Sequence, residues 1–353
     1  MNLSFLLAPL AGLFGTVVKL RGKLFDWDVL PVRSYLLPVI GVGNLAVGGT
    51  GKTPFVEHIL RLLHEQGWQV AMLSRGYGRH SRGFVLATPA STAEDIGDEP
   101  FQVKQNCPFA TVAVCANRAE GINRLLTAAP CADVIVLDDA FQHRYVKAGF
   151  NILLTDAHRL YIHDHLLPWG RLREPASSAV RARAVVVTKC GEGERPPLEV
   201  EPWQSLFYSR IVYANPVPQG ACAKLWQGKD GESPFGGQKV LVIAAIANPQ
   251  PLVKHLQTSG AEVTLAEFRD HHDFTARDAR RLADLWQQMP GQWAVTTQKD
   301  IERLRKIFPL LPSPLTERLW VQPITVEVVP GNEHTSNFNQ IIIDYVRANQ
   351  RDS

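Results

Sequence analysis

The sequence has few cysteines, little net charge and no internal repeat or low-complexity tract. Its 5 cysteines are odd in number and none has Cys-x-x-Cys spacing, so neither a disulfide framework nor a zinc site is indicated, and a reducing cytoplasmic setting fits best. The formal net charge is +3 and there is no arginine-rich tract or interleaved aromatic platform, which argues against a nucleic-acid partner. No feature points to an obligate protein partner. With 353 residues, the chain is long enough for about two domains.

The N-terminal segment, residues 1–30, lacks the features of a spanning helix and of a cleaved signal. Its charge-free stretch is interrupted by Pro9 and ends at Lys19, short of the ~20 apolar residues that a spanning helix needs. Its basic residues follow the apolar run, whereas those of a cleaved signal precede it. The apolar residues on one helical stripe are Leu6, Leu10, Leu13, Val17 and Leu20. This pattern predicts an amphipathic helix that either lies in the plane of a membrane or packs on the domain.

Residues 43–53, with the sequence Gly-Asn-Leu-Ala-Val-Gly-Gly-Thr-Gly-Lys-Thr, follow an apolar run and precede a helical pattern. In this setting, a glycine-rich loop turns successive backbone N–H groups toward one centre, where an anion sits at a helix N-terminus. The loop residues expected to surround the phosphates are Gly48, Gly49, Thr50 and Gly51. Lys52 can then reach the β- and γ-phosphates and Thr53 can bind Mg²⁺, so the predicted ligand is a nucleoside triphosphate.

Ala46 departs from the strict phosphate-loop pattern, which has glycine at this position. Gly48 and Gly49 supply the missing flexibility. The alternative interpretation is a glycine-rich turn without a ligand, which the strand–loop–helix setting disfavours.

Two aspartates end the apolar run at residues 134–137. Nucleotide-hydrolysing folds use this arrangement to present a carboxylate to Mg²⁺, and Asp138 is the better candidate for the metal ligand. Paired aspartates also serve as turn or helix-cap residues, which is the alternative interpretation. Gln142, His143 and Arg144 follow, and they are candidate contacts to nucleotide or substrate unless they only form a solvated loop.

Other loops at the expected carboxyl edge of the sheet carry charged residues. Residues 74–79 include two arginines after the second strand, where open α/β sheets bind ligands. Asp98 lies in a Gly-Asp-Glu-Pro loop and could accept the proton of an attacking hydroxyl, although such a sequence is most often a turn. Arg118 and Arg173 could stabilise the charge on a transferring phosphate, whereas surface arginines more often only solvate a face.

Apolar runs alternate with helical patterns along the chain, which predicts an α/β fold. We expect a P-loop NTPase-like parallel sheet flanked by helices, a second and smaller α/β lobe, and the N-terminal amphipathic helix. The expected divisions after residue 30 are a P-loop lobe at 31–205, a Pro- and Gly-rich linker at 206–237, the smaller lobe at 238–330, and a C-terminal helix at 331–353 that packs on the first lobe.

In the smaller lobe, His271 and His272 lie between two aspartates. Adjacent side chains on an extended segment point to opposite faces, so one working imidazole oriented by a carboxylate is favoured over a two-histidine metal site. Residues 188–189 and 297–300 lack the Asn-Lys-x-Asp form of guanine-reading loops and are interpreted as strand-to-helix turns. ATP is therefore the expected nucleotide.

Taken together, residues 46–54, 74–78, 97–100, 138–144 and 270–272 strongly resemble the motifs of the tetraacyldisaccharide 4′-kinase family, and the resemblance spans essentially the full chain. Members of this family use MgATP to phosphorylate the 4′-hydroxyl of an acylated glucosamine disaccharide lipid in lipid A biosynthesis. The resemblance implies a peripheral enzyme at the cytoplasmic face of the inner membrane of Gram-negative bacteria. It also implies that the N-terminal amphipathic helix meets the bilayer.

The resemblance implies roles for residues around the nucleotide. Lys52 and Thr53 would hold the phosphates and Mg²⁺, while Asp138 and Asp139 would serve the metal and the charge network of the active site. Ala46 is compatible with membership, because the loop of this family is also relaxed at that position.

On the acceptor side, the resemblance implies that Asp98 is the base. A histidine of the second lobe would assist it, with His271 favoured over His272. Arg118 and Arg173 are similar to family arginines near the phosphate, and other arginines of the same segments compete for these roles.

Two functions of other kinds remain open from the residues. A membrane-associated ATPase switch would use the phosphate loop to drive assembly, without passing a phosphoryl group to a substrate, and it would have no need for an acceptor-side base. A soluble small-molecule ligase that uses ATP would turn over without lipid, and its N-terminal helix would be ordinary packing.

Overall fold

The computed structural model describes residues 7–220, 222, 233–270, 272–289, 293–331 and 336–350. The chain forms two compact units. The first comprises the residues up to Ile211 together with those from Val326 onward, and the second is Val212–Thr325. The chain therefore leaves the first unit once and returns to it near the C-terminus.

The first unit contains the glycine-rich loop and most of the secondary structure. Its helices are α1 (Ala8–Asp26), α2 (Lys52–Glu65), α3 (Ala93–Ile96), α4 (Asp98–Asn106), α5 (Arg118–Ala128) and α10 (Phe338–Ala348). Its strands are β1 (Val39–Asn44), β2 (Val70–Ser74), β3 (Val85–Leu86), β4 (Thr111–Val114), β5 (Val134–Leu137), β6 (Phe150–Asp156) and β7 (Ala184–Thr188), together with most of β8 (Ser205–Tyr213) and β14 (Ile324–Pro330).

These strands form one sheet with the order β14-β8-β7-β6-β1-β5-β2-β4-β3. Strand β1 lies in the middle and pairs in parallel with both β5 and β6, and the pairs from β4 across to β8 are all parallel. Short β3 runs antiparallel to β4 at one edge. Because the central strands are parallel, the loops that follow β1, β5, β2 and β4 all emerge at the carboxyl edge of the sheet, where α/β folds bind ligands.

Helices cover both faces of this sheet. On one face, α2, α4 and α10 pack on the strands, and Phe55 of α2 meets Phe338 of α10 edge to face, with ring centroids 5.3 Å apart. On the other face, α5 buries Ile122 and Leu125 against the strands. The spacing of Phe338, Ile342 and Val346 on α10 follows the helical period, so these side chains share the buried stripe.

Helix α1 buries two small residues and one phenylalanine against the rest of the first unit and leaves several of its apolar side chains exposed. Ala11 and Gly15 are buried, and Phe25 near the end of the helix contacts the ring of Tyr145. The exposed apolar residues of the helix include Leu10, Leu13, Val17 and Leu20. Leu6 of the predicted stripe lies outside the described residues. Over the described ranges, no helix combines the length and hydrophobicity needed to cross a bilayer.

The second unit is built on a five-stranded sheet with the order β11-β10-β12-β13-β9. Its strands are β9 (Val217–Pro218), β10 (Lys239–Ala244), β11 (Glu262–Glu267), β12 (Trp293–Thr297) and β13 (Leu319–Gln322). Its helices are α6 (Gln250–Thr258), α7 (Ala276–Gln287), α8 (Ile301–Arg305) and α9 (Ser313–Glu317). The sheet is parallel except at β9, and apolar clusters lie on both of its faces.

The start of the segment expected to be a linker has regular structure. Residues 205–213 form β8, which pairs in parallel with β7, and residues 217–218 form β9. Only Phe207, Tyr208 and Ser209 in the middle of β8 are buried, so this strand lacks the long apolar run that marks the central strands. After β7 the chain also reaches β8 without an intervening helix, so the strand-to-helix turn expected at residues 188–189 is wrong.

Candidate active site

The glycine-rich loop connects buried β1 to the N-terminus of α2, which begins at Lys52. Within the loop, Gly48 and Gly51 adopt positive φ angles of 111° and 76°, which L residues with a Cβ rarely adopt. The side chain of Thr50 is held in place by the buried Asn44 side chain, which donates a hydrogen bond to Thr50 Oγ1 over 2.8 Å. The loop therefore presents its last turn at the helix N-terminus, as an anion-binding loop requires.

The first half of the loop is held by a second segment of the chain. The Val47 N–H donates to the Arg171 carbonyl over 2.8 Å, and the Arg173 N–H donates to the Leu45 carbonyl over 2.7 Å. Ala46 bridges to Leu172 in the same antiparallel ladder. A residue in such extended pairing has no need of glycine, which explains the departure from the strict motif at Ala46.

The two aspartates after β5 have different environments. Asp138 is buried, and its Oδ2 accepts a hydrogen bond of 2.9 Å from the Ser74 hydroxyl. Its Oδ1 is buried and has no hydrogen-bond partner in the part of the chain that the structure describes. Asp139 is partly exposed and adopts φ 46°, a left-handed conformation that turns the chain immediately after the strand.

Asp139 lies between two cations. Lys52 Nζ is 3.6 Å from Asp139 Oδ1. Arg173 donates Nη1 to Asp139 Oδ2 over 3.0 Å and Nη2 to Asp139 Oδ1 over 2.9 Å, and its Nη2 also donates to Asn44 Oδ1. The lysine of the phosphate loop is therefore joined to the acidic strand end and to the arginine by one carboxylate.

The pKa values of the two carboxyls move in opposite directions. Burial raises the pKa of Asp138, and the neighbouring Asp139 charge raises it further. Burial also raises the pKa of Asp139, but the hydrogen bonds from Arg173 and the Lys52 charge outweigh this effect and lower the pKa to about 2. Opposed pKa values in adjacent carboxyls are typical of functional sites.

Arg118 begins α5 and is buried beside the same strand end. Its Nη2 donates to the Asp138 backbone carbonyl and its Nη1 to the Cys115 carbonyl, each over 2.8 Å. Its backbone N–H donates to His143 Nε2 over 3.2 Å. Burial of the ring, followed by the positive charge of Arg118, lowers the pKa of His143 to about 4. His143 therefore serves as a neutral hydrogen-bond acceptor at neutral pH.

The Gln142 side chain contacts the start of the phosphate loop. Its Nε2 donates to the Asn44 carbonyl over 2.8 Å, and its backbone carbonyl accepts from Arg21 of α1. Its Oε1 is buried and without a hydrogen-bond partner among the described residues. This amide lies at the loop, and its contact with a nucleotide stays a prediction.

Asp98 is the first residue of α4 and is exposed. Gly97 before it adopts φ 90°, and a Cβ at this position would lie 2.7 Å from the Tyr77 carbonyl oxygen. The N-terminus of α4 therefore packs on the loop after β2, and β2 is the strand next to β5. The structure thus positions Asp98 beside the carboxyl edge that carries Asp138 and Asp139, and its role as a base stays a prediction.

In the second unit, His272 forms part of a helix cap. Its Nε2 is 2.9 Å from Asp278 Oδ2, and its ring stacks on Phe268. The same Asp278 oxygen accepts from the Thr275 N–H and hydroxyl, in a capping box at the start of α7. His271 lies outside the described residues, so its role stays a prediction.

The structure gives contacts at the site to four polar residues to which the sequence assigned no role: Asn44, Ser74, Thr188 and Lys189. Each stands at or just after the end of a buried strand, and this position is the signal that could have identified them. Their partners lie up to 140 positions away, in contacts that no local pattern reveals.

A phosphate-binding loop beside an acidic strand end, with two arginines at the same edge of a parallel sheet, defines a P-loop phosphotransferase. A family model described as Tetraacyldisaccharide-1-P 4′-kinase matches residues 3–345. The chain belongs to this kinase family.

The sequence is similar to those of known relatives along nearly the whole chain. The chain is 43% identical to the tetraacyldisaccharide 4′-kinase of Bacteroides thetaiotaomicron and 44% identical to that of Bacteroides fragilis, with 98% of this chain and 94% of each relative covered. Among solved structures, it is similar to LpxK from Aquifex aeolicus, described as an "apo" form in complex with ATP. That comparison has a TM-score of 0.76 and 25% sequence identity, and it covers 99% of this chain and 100% of the other.

Proposed function

We propose that the chain transfers the γ-phosphoryl group of ATP to the 4′-hydroxyl of tetraacyldisaccharide 1-phosphate, giving lipid IVA at the cytoplasmic face of the inner membrane. The observation that carries this proposal is the joining of Lys52, Asp139 and Arg173 into one charged cluster beside the phosphate loop. Membership of the kinase family and the ATP bound to a relative of similar fold support the choice of substrates.

The phosphate loop supplies the nucleotide site. The backbone N–H groups of its last turn and the N-terminus of α2 favour the negative charge of the β- and γ-phosphates. Lys52 is already held near Asp139, and binding of a triphosphate gives its ammonium group a second anionic partner. Arg173 and Arg118 add positive charge at the same edge, where charge develops on the transferring group.

The residues at the end of β5 fit a magnesium ion. The buried Oδ1 of Asp138, which has no hydrogen-bond partner in the described ranges, is the type of hard oxygen ligand that Mg²⁺ prefers. Thr53 follows Lys52 at the start of α2, where P-loop proteins use a hydroxyl for the same ion. When bound, Mg²⁺ neutralises charge on the phosphate oxygens; Asp138 and Thr53 are the residues we propose to hold it.

On the acceptor side, Asp98 is the proposed base. Its carboxylate would orient the sugar hydroxyl and take its proton as the bond to phosphorus forms. His271 is the proposed assistant of Asp98, on the resemblance of its segment to the family. His272 is the weaker candidate, because its ring is engaged with the Asp278 cap.

The exposed face of α1 is the proposed membrane contact. Leu10, Leu13, Val17 and Leu20 are each more than half exposed, although burial of such side chains is worth about 1.5–3 kcal/mol each. Trp27 and Val29, just after the helix, are 63% exposed as well. Lys19 and Lys23 are exposed on the same helix and suit anionic head groups.

The test is transfer of radiolabelled γ-phosphate from ATP to tetraacyldisaccharide 1-phosphate in detergent micelles. We expect label in the lipid with the native chain and a loss of at least about hundredfold with Asp98→Ala, because general bases contribute factors of this size. Glu99→Ala is the matched control, since Glu99 is the next carboxylate on the first turn of α4. Its rate should stay within about twofold of the native rate.

The outcomes separate the candidate functions. Label that appears only as free phosphate, at a rate that neither lipid nor Asp98→Ala changes, would indicate an ATPase switch instead of a kinase. ATP turnover that needs no lipid but depends on an added soluble substrate would indicate a small-molecule ligase. Equal losses in Asp98→Ala and Glu99→Ala would remove Asp98 from the role of base while leaving the kinase activity standing.

A further inference from the structure

Two residues at the end of β7 contact the phosphate loop from the side opposite Asp138. Thr188 is buried, and its hydroxyl donates to the Thr50 carbonyl over 2.9 Å, with the Thr155 carbonyl 3.1 Å away. Lys189 follows it, and its ammonium group donates to the Gly49 carbonyl and to Asp156 Oδ2, the latter over 2.7 Å. Two successive carbonyls of the loop are thus bonded by two successive residues of one strand end.

The geometry of the peptide bond gives these contacts a consequence for the ligand. In a planar trans peptide, the C=O and the N–H of one unit point in opposite directions. The Gly49 carbonyl shares its unit with the Thr50 N–H, and the Thr50 carbonyl shares its unit with the Gly51 N–H. Since both carbonyls point to β7, the N–H groups of Thr50 and Gly51 point away from it, into the loop.

We infer that Thr188 and Lys189 are positioning residues for the nucleotide, which hold the Gly49–Thr50 and Thr50–Gly51 peptide planes so that their N–H groups face the phosphates. This inference rests on the proposed nucleotide site but not on the lipid acceptor. Without the two donors, either peptide plane can rotate and turn a carbonyl dipole toward the anion, which repels it.

The conformation of Lys189 agrees with this role. Its φ is 60°, a left-handed conformation that costs free energy for a residue with a Cβ. The side chain is 36% exposed, and Asp156 pairs with it. The ion pair fixes the ammonium group, so the bond to the Gly49 carbonyl is made by a side chain that is already oriented.

The experiment measures the affinity of MgATP by calorimetry and the KM and kcat of phosphoryl transfer in Thr188→Val and Lys189→Met. We expect the dissociation constant and the KM for ATP to rise about five- to tenfold in each, the value of one lost hydrogen bond, with the KM for lipid unchanged. Thr188→Ser and Lys189→Arg keep a donor and should recover most of the affinity.

Two controls distinguish positioning from general stability. Thr296→Val removes a buried hydroxyl that donates to a strand carbonyl over 2.9 Å in the second unit, and it should leave the ATP affinity unchanged. Asp156→Asn removes the ion pair but keeps the lysine bond to Gly49, so its effect should be smaller than that of Lys189→Met. Equal losses in Asp156→Asn and Lys189→Met would overturn the assignment of the Gly49 carbonyl as the partner through which Lys189 acts.

Inorganic tripolyphosphate separates the loop effect from a direct contact with the nucleoside. If the two residues orient loop N–H groups, Thr188→Val and Lys189→Met weaken Mg-tripolyphosphate and MgATP by the same factor. A loss confined to ATP would overturn the inference, because it would mean contact with the base or ribose. A chain that binds MgATP in this way but labels no lipid would refute the proposed function and leave this inference intact.

Discussion

Arg173 and Asp139 form a bidentate pair, with Nη1 to Oδ2 at 3.0 Å and Nη2 to Oδ1 at 2.9 Å. The pairing of residues 171–173 with residues 45–47 determines which arginine reaches this carboxylate. Arg173 contacts Asp139, whereas Arg171, two residues earlier, lines a cleft with Gly48 and Gly49. A planar guanidinium can hold both carboxylate oxygens at once, which a lysine ammonium group cannot.

Arg173→Lys therefore tests the pair with the charge preserved. We expect kcat for phosphoryl transfer to fall at least about tenfold, because Asp139 and Lys52 lose a fixed partner at the site where phosphate charge develops. The pKa of Asp139, held at about 2 partly by Arg173, should rise. Steady-state kinetics and carboxyl NMR titration measure the two effects. Arg210→Lys, at an exposed pair with Glu327, is the control and should change neither.

Asp138→Asn should make the protein more stable and much less active. Burial and the Asp139 charge raise the pKa of Asp138, so the folded state binds a proton more readily than the unfolded state. The free energy of unfolding therefore falls as pH rises from the ordinary pKa of this carboxyl to its raised pKa. An amide in the same place keeps an acceptor for the Ser74 hydroxyl and removes the buried charge. We expect the melting temperature at pH 8 to rise by about 2–4 °C.

The same variant should lose activity by at least about hundredfold and need more magnesium for what remains, since a neutral amide is a weaker ligand for a hard cation. Differential scanning calorimetry and a magnesium titration of activity give the two readouts. A lower melting temperature together with an unchanged magnesium requirement would contradict the assignment of Asp138 to the metal.

Local patterns in the sequence account for much of the fold and for part of the site. The run Val134–Leu137 and the stripe of Phe338, Ile342 and Val346 are regular enough to identify a strand and a helix without tertiary information. Strand β8 was missed because only three of its residues are buried, so its period is obscured by the exposed remainder.

The site is less accessible to such reasoning because its contacts join distant segments. The preference for Arg173 over Arg171 depends on a ladder with residues 45–47, and nothing local to either arginine reveals it. Asn44 likewise accepts hydrogen bonds from Gln142 and Arg173 of other segments, and Lys189 donates to the Gly49 carbonyl of the phosphate loop. The chemical types of residue needed at the sheet edge are readable from sequence, whereas the pairs they form require the fold.

His143→Gln should reduce the acid sensitivity of folding. The pKa of His143 is about 4 in the folded state and about 6.5 in the unfolded state. Between these two pH values the unfolded state binds a proton that the folded state does not, so the free energy of unfolding falls as pH falls from about 6.5 to about 4. The ring is partly exposed and solvent screens its charge, so we expect a difference on the order of 1 kcal/mol between native chain and variant at pH 4.5. Urea unfolding at pH 7 and pH 4.5 measures it. Parallel losses of stability in the two proteins would contradict the assignment of this titration to His143.

The exposed apolar face of α1 predicts that substitutions on it weaken lipid binding without changing nucleotide binding. Leu13 and Val17 are 66% and 59% exposed, so Leu13→Glu together with Val17→Glu leaves the packing of Ala11 and Gly15 intact, which deletion of residues 1–20 would not. We expect sedimentation with anionic phospholipid vesicles to fall at least about tenfold and the KM for lipid to rise, because two apolar side chains no longer enter the interface. The dissociation constant for MgATP should stay the same.

The double variant Gln287→Glu and Gln288→Glu, at exposed positions in the second unit, adds the same charge and should affect neither vesicle binding nor KM. An equal loss of nucleotide binding in the α1 variant would mean that this face stabilises the fold instead of meeting the membrane.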